Sequence, residues 1–189
     1  MQQPQTVFFV GKPGSGKGTQ AALLAKHTGW PVYTAGDRFR ALAKEETPMG
    51  HKLRAELDAG TLMPVWFATY LYLDALFSIP EGQSAIFDGF NRKPTEAELI
   101  LDSLKWLGRS FAIIYLETSH EEVKKRIQLR AQTSGRADDH EVENRLKEYE
   151  TYTEDAIGLF RDAGVLITIN GEQAPETVAA DVRAALKIA

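Results

Sequence analysis

Short apolar runs at Thr6 to Val10, Ser84 to Phe87, Phe111 to Leu116 and Val165 to Ile169 are separated by longer stretches in which apolar residues return with helical spacing. Strands alternating with helices in this way predict a parallel α/β sheet. Pro31 to Tyr33 is a fifth, shorter candidate strand. Ser119 with Glu122, and Thr95 with Glu98, have the spacing of capping boxes ahead of apolar-striped segments, and Gly29, Gly60 and Gly164 stand where helices should stop. No internal repeat, low-complexity tract or linker interrupts the pattern. Two stretches between strands read as insertions and as candidate moving parts: roughly 35 to 77, and a short polar loop near 132 to 139.

Composition narrows the class. A chain of 189 residues with 43% hydrophobic content suits one large core with small insertions, so positions 1–189 read as a single domain. A net charge of −4 argues against bulk electrostatic binding of nucleic acid, which usually selects a basic surface. Any anion must be held locally. The chain has no cysteine, so neither a disulfide framework nor a thiolate zinc site is expected, and a reducing compartment is tolerated. Met1-Gln2-Gln3-Pro4 lacks the charged and apolar regions of a signal peptide, and no apolar run approaches the roughly 20 residues that span a bilayer. The expectation is a soluble, cytoplasmic protein that does not engage a membrane.

The chemistry enters at Gly11-Lys12-Pro13-Gly14-Ser15-Gly16-Lys17-Gly18-Thr19-Gln20, directly after the first apolar run and directly before a helical pattern. Glycines there let the backbone curl so that several N–H groups face one anion; the next helix offers the positive end of its dipole, and Lys17 adds a full charge. The loop reads as a seat for a nucleotide polyphosphate. A flexible Gly/Ser linker is not expected between a buried strand and an apolar-striped helix. In the generic phosphate loop a Ser or Thr directly follows the lysine, whereas here Gly18 follows Lys17 and the hydroxyl arrives one position later, at Thr19.

With that departure the segment resembles the Gly-x-Pro-Gly-Ser-Gly-Lys-Gly-Thr-Gln loop of the adenylate kinase family of nucleoside monophosphate kinases, and the likeness extends over nearly the whole chain. It implies an α/β P-loop fold in three layers, with a central parallel five-stranded sheet, a helical monophosphate-binding insertion and a short lid. It also implies ATP at Gly14, Ser15, Gly16, Lys17, Gly18 and Thr19. Asp88-Gly-Phe-Asn-Arg92 resembles the family's Asp-Gly-Phe-Pro-Arg segment. By that resemblance Asp88 orients the water shell of Mg²⁺, Gly89 lets the acceptor approach, and Arg92 grips its phosphate. Thr34-Ala35-Gly36-Asp37-Arg38-Phe39-Arg40 is similar to the acceptor segment, which makes Arg40 a second clamp, and Gly60-Thr-Leu-Met63-Pro64 is similar to the strip beside the acceptor base. Arg38 reads as a solvated helix charge.

Arg126 and Arg130 lie one turn apart, Ser134-Gly135-Arg136-Ala137-Asp138-Asp139 follows, and Arg145 stands on the next helix. This run resembles the family's lid. It implies Arg126 beside the donor base and phosphates, Arg130, Arg136 and Arg145 around the transferring group, and Asp138 and Asp139 holding the lid. The family pattern places its last lid-side arginine two residues farther on than Arg145. Lys124, Lys125, Glu148 and Glu150 fit surface ion pairs instead. The lid has none of the extra hairpin or metal-ligand cysteines of long-lid relatives. The resemblance closes at Ile169-Asn170-Gly171, where Gly171 would line the donor adenine.

Phosphoryl transfer between nucleotides asks for position and positive charge more than for a general base, because the attacking group is already an anionic oxygen. His27, His51, His120 and His140 therefore need no catalytic part. The acceptor base stays open. Ala35 replaces the threonine of adenylate kinases and resembles the alanine of uridylate and cytidylate kinases, while Glu96 replaces a glutamine that reads adenine. An ionised glutamate only accepts hydrogen bonds, whereas glutamine also donates. Alternatively Glu96 is an acid at a helix start, touching no base. The reading is an enzyme, a working monomer, that reversibly converts ATP and a monophosphate, AMP first, into two diphosphates with Mg²⁺. CMP, UMP or GMP kinases and a non-catalytic nucleotide-binding regulator are the alternatives. A phosphate-loop GTPase would need an Asn-Lys-x-Asp segment, which is absent.

Overall fold

The run Thr6–Val10 forms β1, buried at every residue, as a strand must be when helices cover both faces of a parallel sheet. The computed structural model describes residues 3–90, 92–134 and 142–188, the side chains of 131–134 and 142 excepted. In chain order β1 is followed by α1 (Lys17–Thr28), β2 (Val32–Thr34), α2 (Ala35–Leu42), α3 (Pro48–Asp58), α4 (Val65–Phe77), β3 (Ala85–Asp88), α5 (Pro94–Trp106) and β4 (Phe111–Glu117). Then come α6 (His120–Ser134), α7 (Val142–Glu148), a π-helical turn (Tyr149–Thr153), α8 (Glu154–Asp162), β5 (Leu166–Asn170) and α9 (Pro175–Leu186). The five strands form one sheet in the order β2-β3-β1-β4-β5, and every pairing is parallel. This is an α/β fold of the P-loop kind. The stretch from 35 to 77 holds three helices, α2, α3 and α4, between β2 and β3.

Alternation along β1 divides the core into two layers. Phe8 and Val10, with Phe87 and Ile113, pack under Tyr72, Ile100, Leu104 and Phe160 from α4, α5 and α8. Val7 and Phe9, with Ile86, Ile114 and Leu116, pack against Ala21, Leu24, Val178 and Val182 from α1 and α9. Each large side chain buried this way contributes roughly 1.5–3 kcal/mol. Phe8 also stacks on Phe87 with ring centroids 4.9 Å apart, which ties β1 to β3 on the face covered by α4, α5 and α8.

The strand ends matter for function. β3 runs one residue further than the apolar run, so Asp88 is its last residue and is paired in register with Phe9. The phosphate loop and this acid therefore leave adjacent strands at the carboxyl edge of the sheet, where open α/β sheets place their ligands.

The helix caps differ from their sequence signatures. Ser119 does cap α6, its Oγ accepting from the Glu122 N–H at 3.3 Å. The reciprocal partner, however, is Glu172, whose carboxylate takes the Ser119 N–H at 2.7 Å, while Glu122 pairs with Arg126. Thr95 with Glu98 is not a capping box, because α5 begins at Pro94 with Lys93 at its N-cap. Proline at the first helical position needs no N–H partner, so the start moves forward. Gly29 ends α1 at φ 74, its N–H on the Ala25 carbonyl, and Gly60 and Gly164 stand just past α3 and α8 as their positions in the sequence suggest.

Candidate active site

The loop from Gly11 to Lys17 lies on the floor of a cleft of about 880 Å³. Gly14 has φ 80, and a Cβ there would stand 2.7 Å from Ile127, so glycine alone lets α6 close over the loop. Gly16 is the N-cap of α1 at φ 99 and makes no side-chain cap bond. The first N–H groups of α1 are thus presented at the loop, where the helix dipole favours an anion. Ser15 is almost fully buried, and its Oγ has no hydrogen-bond partner among the described residues. A buried hydroxyl of this kind costs stability unless something in the cleft accepts from it. Lys17 Nζ donates to the carbonyls of Gly11 at 2.8 Å and Lys12 at 2.7 Å. Enclosure in the loop draws its pKa down to about 7; Asp88 opposes the shift, and the guanidinium groups of Arg92, Arg145 and Arg130 add to it.

Asp88 reaches across from β3, and a Cβ on Gly18 would lie 3.3 Å from Asp88 Oδ2. Thr19, the hydroxyl that follows Gly18, lines the same cleft. One carboxylate and one hydroxyl are hard oxygen donors of the kind Mg²⁺ takes while keeping several waters and substrate phosphate oxygens. Among the described residues no group of three or more His, Cys, Asp or Glu could cage a metal ion. The donor set therefore fits a cation held mostly by water and phosphate.

The opposite wall comes from α2, the turn after α3, the segment between β3 and α5, and the first turn of α5. Ala35, Arg40, Met63, Gly89, Arg92 and Glu96 all line it. Ala35 is buried beside Gly89, whose φ of 79 turns the chain so that Arg92 folds back, Nε donating to the Gly89 carbonyl at 2.9 Å. Arg40 pairs with Asp37 one turn earlier. Arg38 forms an exposed pair with Asp74 at 2.8 Å, a surface contact of small energetic weight. Glu96 is buried in the first turn of α5, where its Oε2 accepts the Arg92 N–H at 2.9 Å. Burial pushes its carboxyl pKa up, and the bonds from the Arg92 and Lys93 backbones pull against that. Its carboxylate thus contacts the backbone ahead of α5 while the residue also borders the cleft, so both sequence readings stay open.

Arg126, Arg130 and Arg145 line the cleft from α6 and α7. Arg126 Nε donates to Glu122 at 2.7 Å and its Nη1 to the Gly171 carbonyl at 2.9 Å, which joins α6 to the loop after β5. Gly171 is buried against Thr118, where a Cβ would stand 2.6 Å from the hydroxyl. Arg136, Asp138 and Asp139 lie outside the described residues. Every other residue singled out for nucleotide or metal binding borders this one cleft.

Further contacts left no mark in the sequence. Thr153, on the π-helical turn, donates to the Arg92 carbonyl at 3.0 Å, and Lys93 Nζ donates to the Met63 carbonyl at 3.2 Å. Lys124 does form a surface pair, with Glu143 at 2.8 Å, and Glu150 pairs with His120. Glu148 instead accepts the Leu62 N–H across the cleft at 3.2 Å. Helical spacing shows which side of a helix a residue takes, not that a chain segment 86 positions away lies against it.

The profile of the family described as "Adenylate kinase" matches residues 9–165. The chain is 37% identical over 191 residues to "Adenylate kinase" of Thermus thermophilus, covering 100% of both. It is 35% identical to "Adenylate kinase 1" of Nostoc sp., covering 95% of this chain and 97% of the relative. With "Adenylate kinase" of Kocuria rhizophila the identity is 31%, over 96% and 98% of the two chains.

Proposed function

This chain belongs to the adenylate kinase family, and we propose that its cleft, with Mg²⁺, moves the terminal phosphoryl group of ATP reversibly onto AMP to give two ADP. The observation that carries the reading is the meeting in one cleft of Lys17 on its glycine loop, Asp88 beside Gly18, and arginines from three separate parts of the chain. A protein that only bound a nucleotide would not need cations on both walls.

The residues' positions in the cleft, with the family likeness, support the following roles. Backbone N–H groups at Gly14 to Gly18 and the Ser15 hydroxyl cradle the donor phosphates, and Lys17 follows the charge that shifts during transfer. Arg126 and Gly171 border the donor end. Arg40 and Arg92 hold the acceptor phosphate, with Ala35, Met63 and Gly89 beside the rest of the acceptor, and Arg130 and Arg145 face the region between the two substrates. Arg136, Asp138 and Asp139 are read as lid residues. Asp88, with Thr19 nearby, would hold Mg²⁺ through water, and the cation would supply charge neutralisation between phosphate oxygens. Attack by an AMP phosphate oxygen needs no base from the protein, so the work of these residues is alignment and charge stabilisation. Closing the walls around a complete pair also keeps water from taking the phosphoryl group.

Both walls come from one chain, so the monomer is the proposed working unit. Lack of cysteine suits a reducing compartment, the cytoplasm, and a net charge of −4 suits small nucleotides rather than nucleic acid as partners. No helix among the described residues is long and apolar enough to cross a membrane. The test is a coupled assay of ATP with Mg²⁺ against AMP, dAMP, GMP, CMP and UMP. AMP should give the highest kcat/KM; transfer to none of them, or a clear preference for another base, overturns the reading.

A further inference from the structure

Asn144 and Glu148 stand four residues apart on α7, one above the other on the same side of the helix. Asn144 Nδ2 donates to the Ala59 carbonyl at 2.6 Å, and Glu148 Oε2 accepts the Leu62 N–H at 3.2 Å. Both partners are main-chain groups of the turn that joins α3 to α4, and Leu62 and Met63 of that turn border the cleft. A third hold comes from Lys93, which reaches the Met63 carbonyl while its ammonium sits 5.3 Å from the centre of the Tyr152 ring. Besides its own contact from Thr61 to Glu56 of α3, the turn is thus fastened by three side chains that lie outside the insertion.

α7 is itself anchored on its other side. Leu146 is buried with Val123 and Ile127 of α6, the helix that covers the phosphate loop. Arg145, which lines the cleft, lies between Asn144 and Glu148 in the sequence.

We propose that Asn144 and Glu148 are positioning residues that latch the Ala59–Met63 turn to α7, so that the insertion closes onto the helix that carries Arg145. The proposal rests on reading that insertion as the AMP side. A latch of this kind raises the fraction of molecules already competent to bind the acceptor, and the apparent affinity falls in proportion when that fraction drops. ATP, seated on the loop after β1, makes no use of it.

The test compares Asn144→Asp, Glu148→Ala and Glu148→Gln in the full chain. Aspartate has the shape of asparagine but cannot donate to the Ala59 carbonyl. Asn144→Asp and Glu148→Ala should each raise KM for AMP about 3–10-fold, the loss of one hydrogen bond, with KM for ATP and the melting temperature nearly unchanged. Glu148→Gln keeps an acceptor for the Leu62 N–H and should stay close to the parent. The absence of cysteine allows spin labels at Ala55→Cys and Asp155→Cys, both exposed. Without nucleotide, Asn144→Asp should shift their distance distribution toward longer separations. Unchanged distances, or equal rises in both KM values, overturn the latch. Failure of the parent to phosphorylate AMP would instead strike the functional reading, and the label distances would still decide the latch.

Discussion

Thr153 and Arg92, 61 positions apart, are joined by a 3.0 Å hydrogen bond from the threonine hydroxyl to the arginine carbonyl. Glu96 takes the N–H of the same residue at 2.9 Å. The Arg92 backbone is therefore held at both its polar groups, by α5 on one side and by the π-helical turn on the other. π-helical turns are uncommon and collect at functional sites.

Replacing Thr153 with valine keeps the shape and removes the donor. The variant should lose about 1–3 kcal/mol of stability, since the Arg92 carbonyl is left without this partner, and KM for AMP should rise several-fold while KM for ATP holds. Thr153→Ser should restore both. Chemical denaturation and steady-state kinetics decide it, and a valine variant with parental KM for AMP would show the bond to be only structural.

Lys17→Met should lower kcat on the order of 10²–10³-fold, the usual loss when one preorganised charge is removed from the reacting centre. The unliganded variant should melt no lower than the parent, because the ammonium is held in a setting that disfavours its charge. Near-normal turnover would contradict the role given to the loop.

The same lysine makes ATP binding depend on pH. Its pKa is about 7 in the folded protein against an ordinary 10.5. Between those values the unfolded chain binds more protons, so this group's destabilising contribution is complete below about pH 7 and is relieved as pH rises toward 10.5. Polyphosphate beside Nζ favours the charged form, so ATP binding at about pH 7.5 to 8.5 should take up a fraction of a proton, on the order of one half. Titration calorimetry in buffers of different ionisation heat measures this, and Lys17→Met should abolish it.

Glu96→Gln keeps an oxygen for the Arg92 N–H and removes a buried charge. The folded pKa of Glu96 is raised, so its stabilising contribution is complete below the ordinary glutamate value and is lost as pH rises through the folded one. The glutamine variant should therefore melt higher than the parent at about pH 7, with the gain shrinking in acid. If the AMP to GMP and CMP preference also moves, Glu96 reads the base as well; if only stability moves, it serves the helix alone.

Chelation by EDTA should stop transfer and added Mg²⁺ restore it, whereas a zinc-selective chelator at constant Mg²⁺ should have no effect, because the chain has no thiolate. Loss of activity with the zinc chelator would point to a different metal.

Much of this was readable from local pattern. A strand buried on both faces must be largely apolar, so Val7 to Val10 and Ala85 to Phe87 declare the centre of the sheet, and a loop that wraps an anion needs glycine where a Cβ would strike Ile127. Those demands act within a few residues and leave a mark in the residue types. Other features depend on which surfaces meet. Proline moved the start of α5 to Pro94, which placed Glu96 within reach of the Arg92 backbone, and Glu172 rather than Glu122 completed the cap of α6. Glu148, Asn144 and Thr153 act on main-chain groups, and every residue offers the same carbonyl and, proline aside, the same N–H. A contact to the backbone constrains only one of its partners, so nothing at Ala59, Leu62 or Arg92 announces it, and only the packing of α7 and the π-helical turn against the cleft brings those groups together.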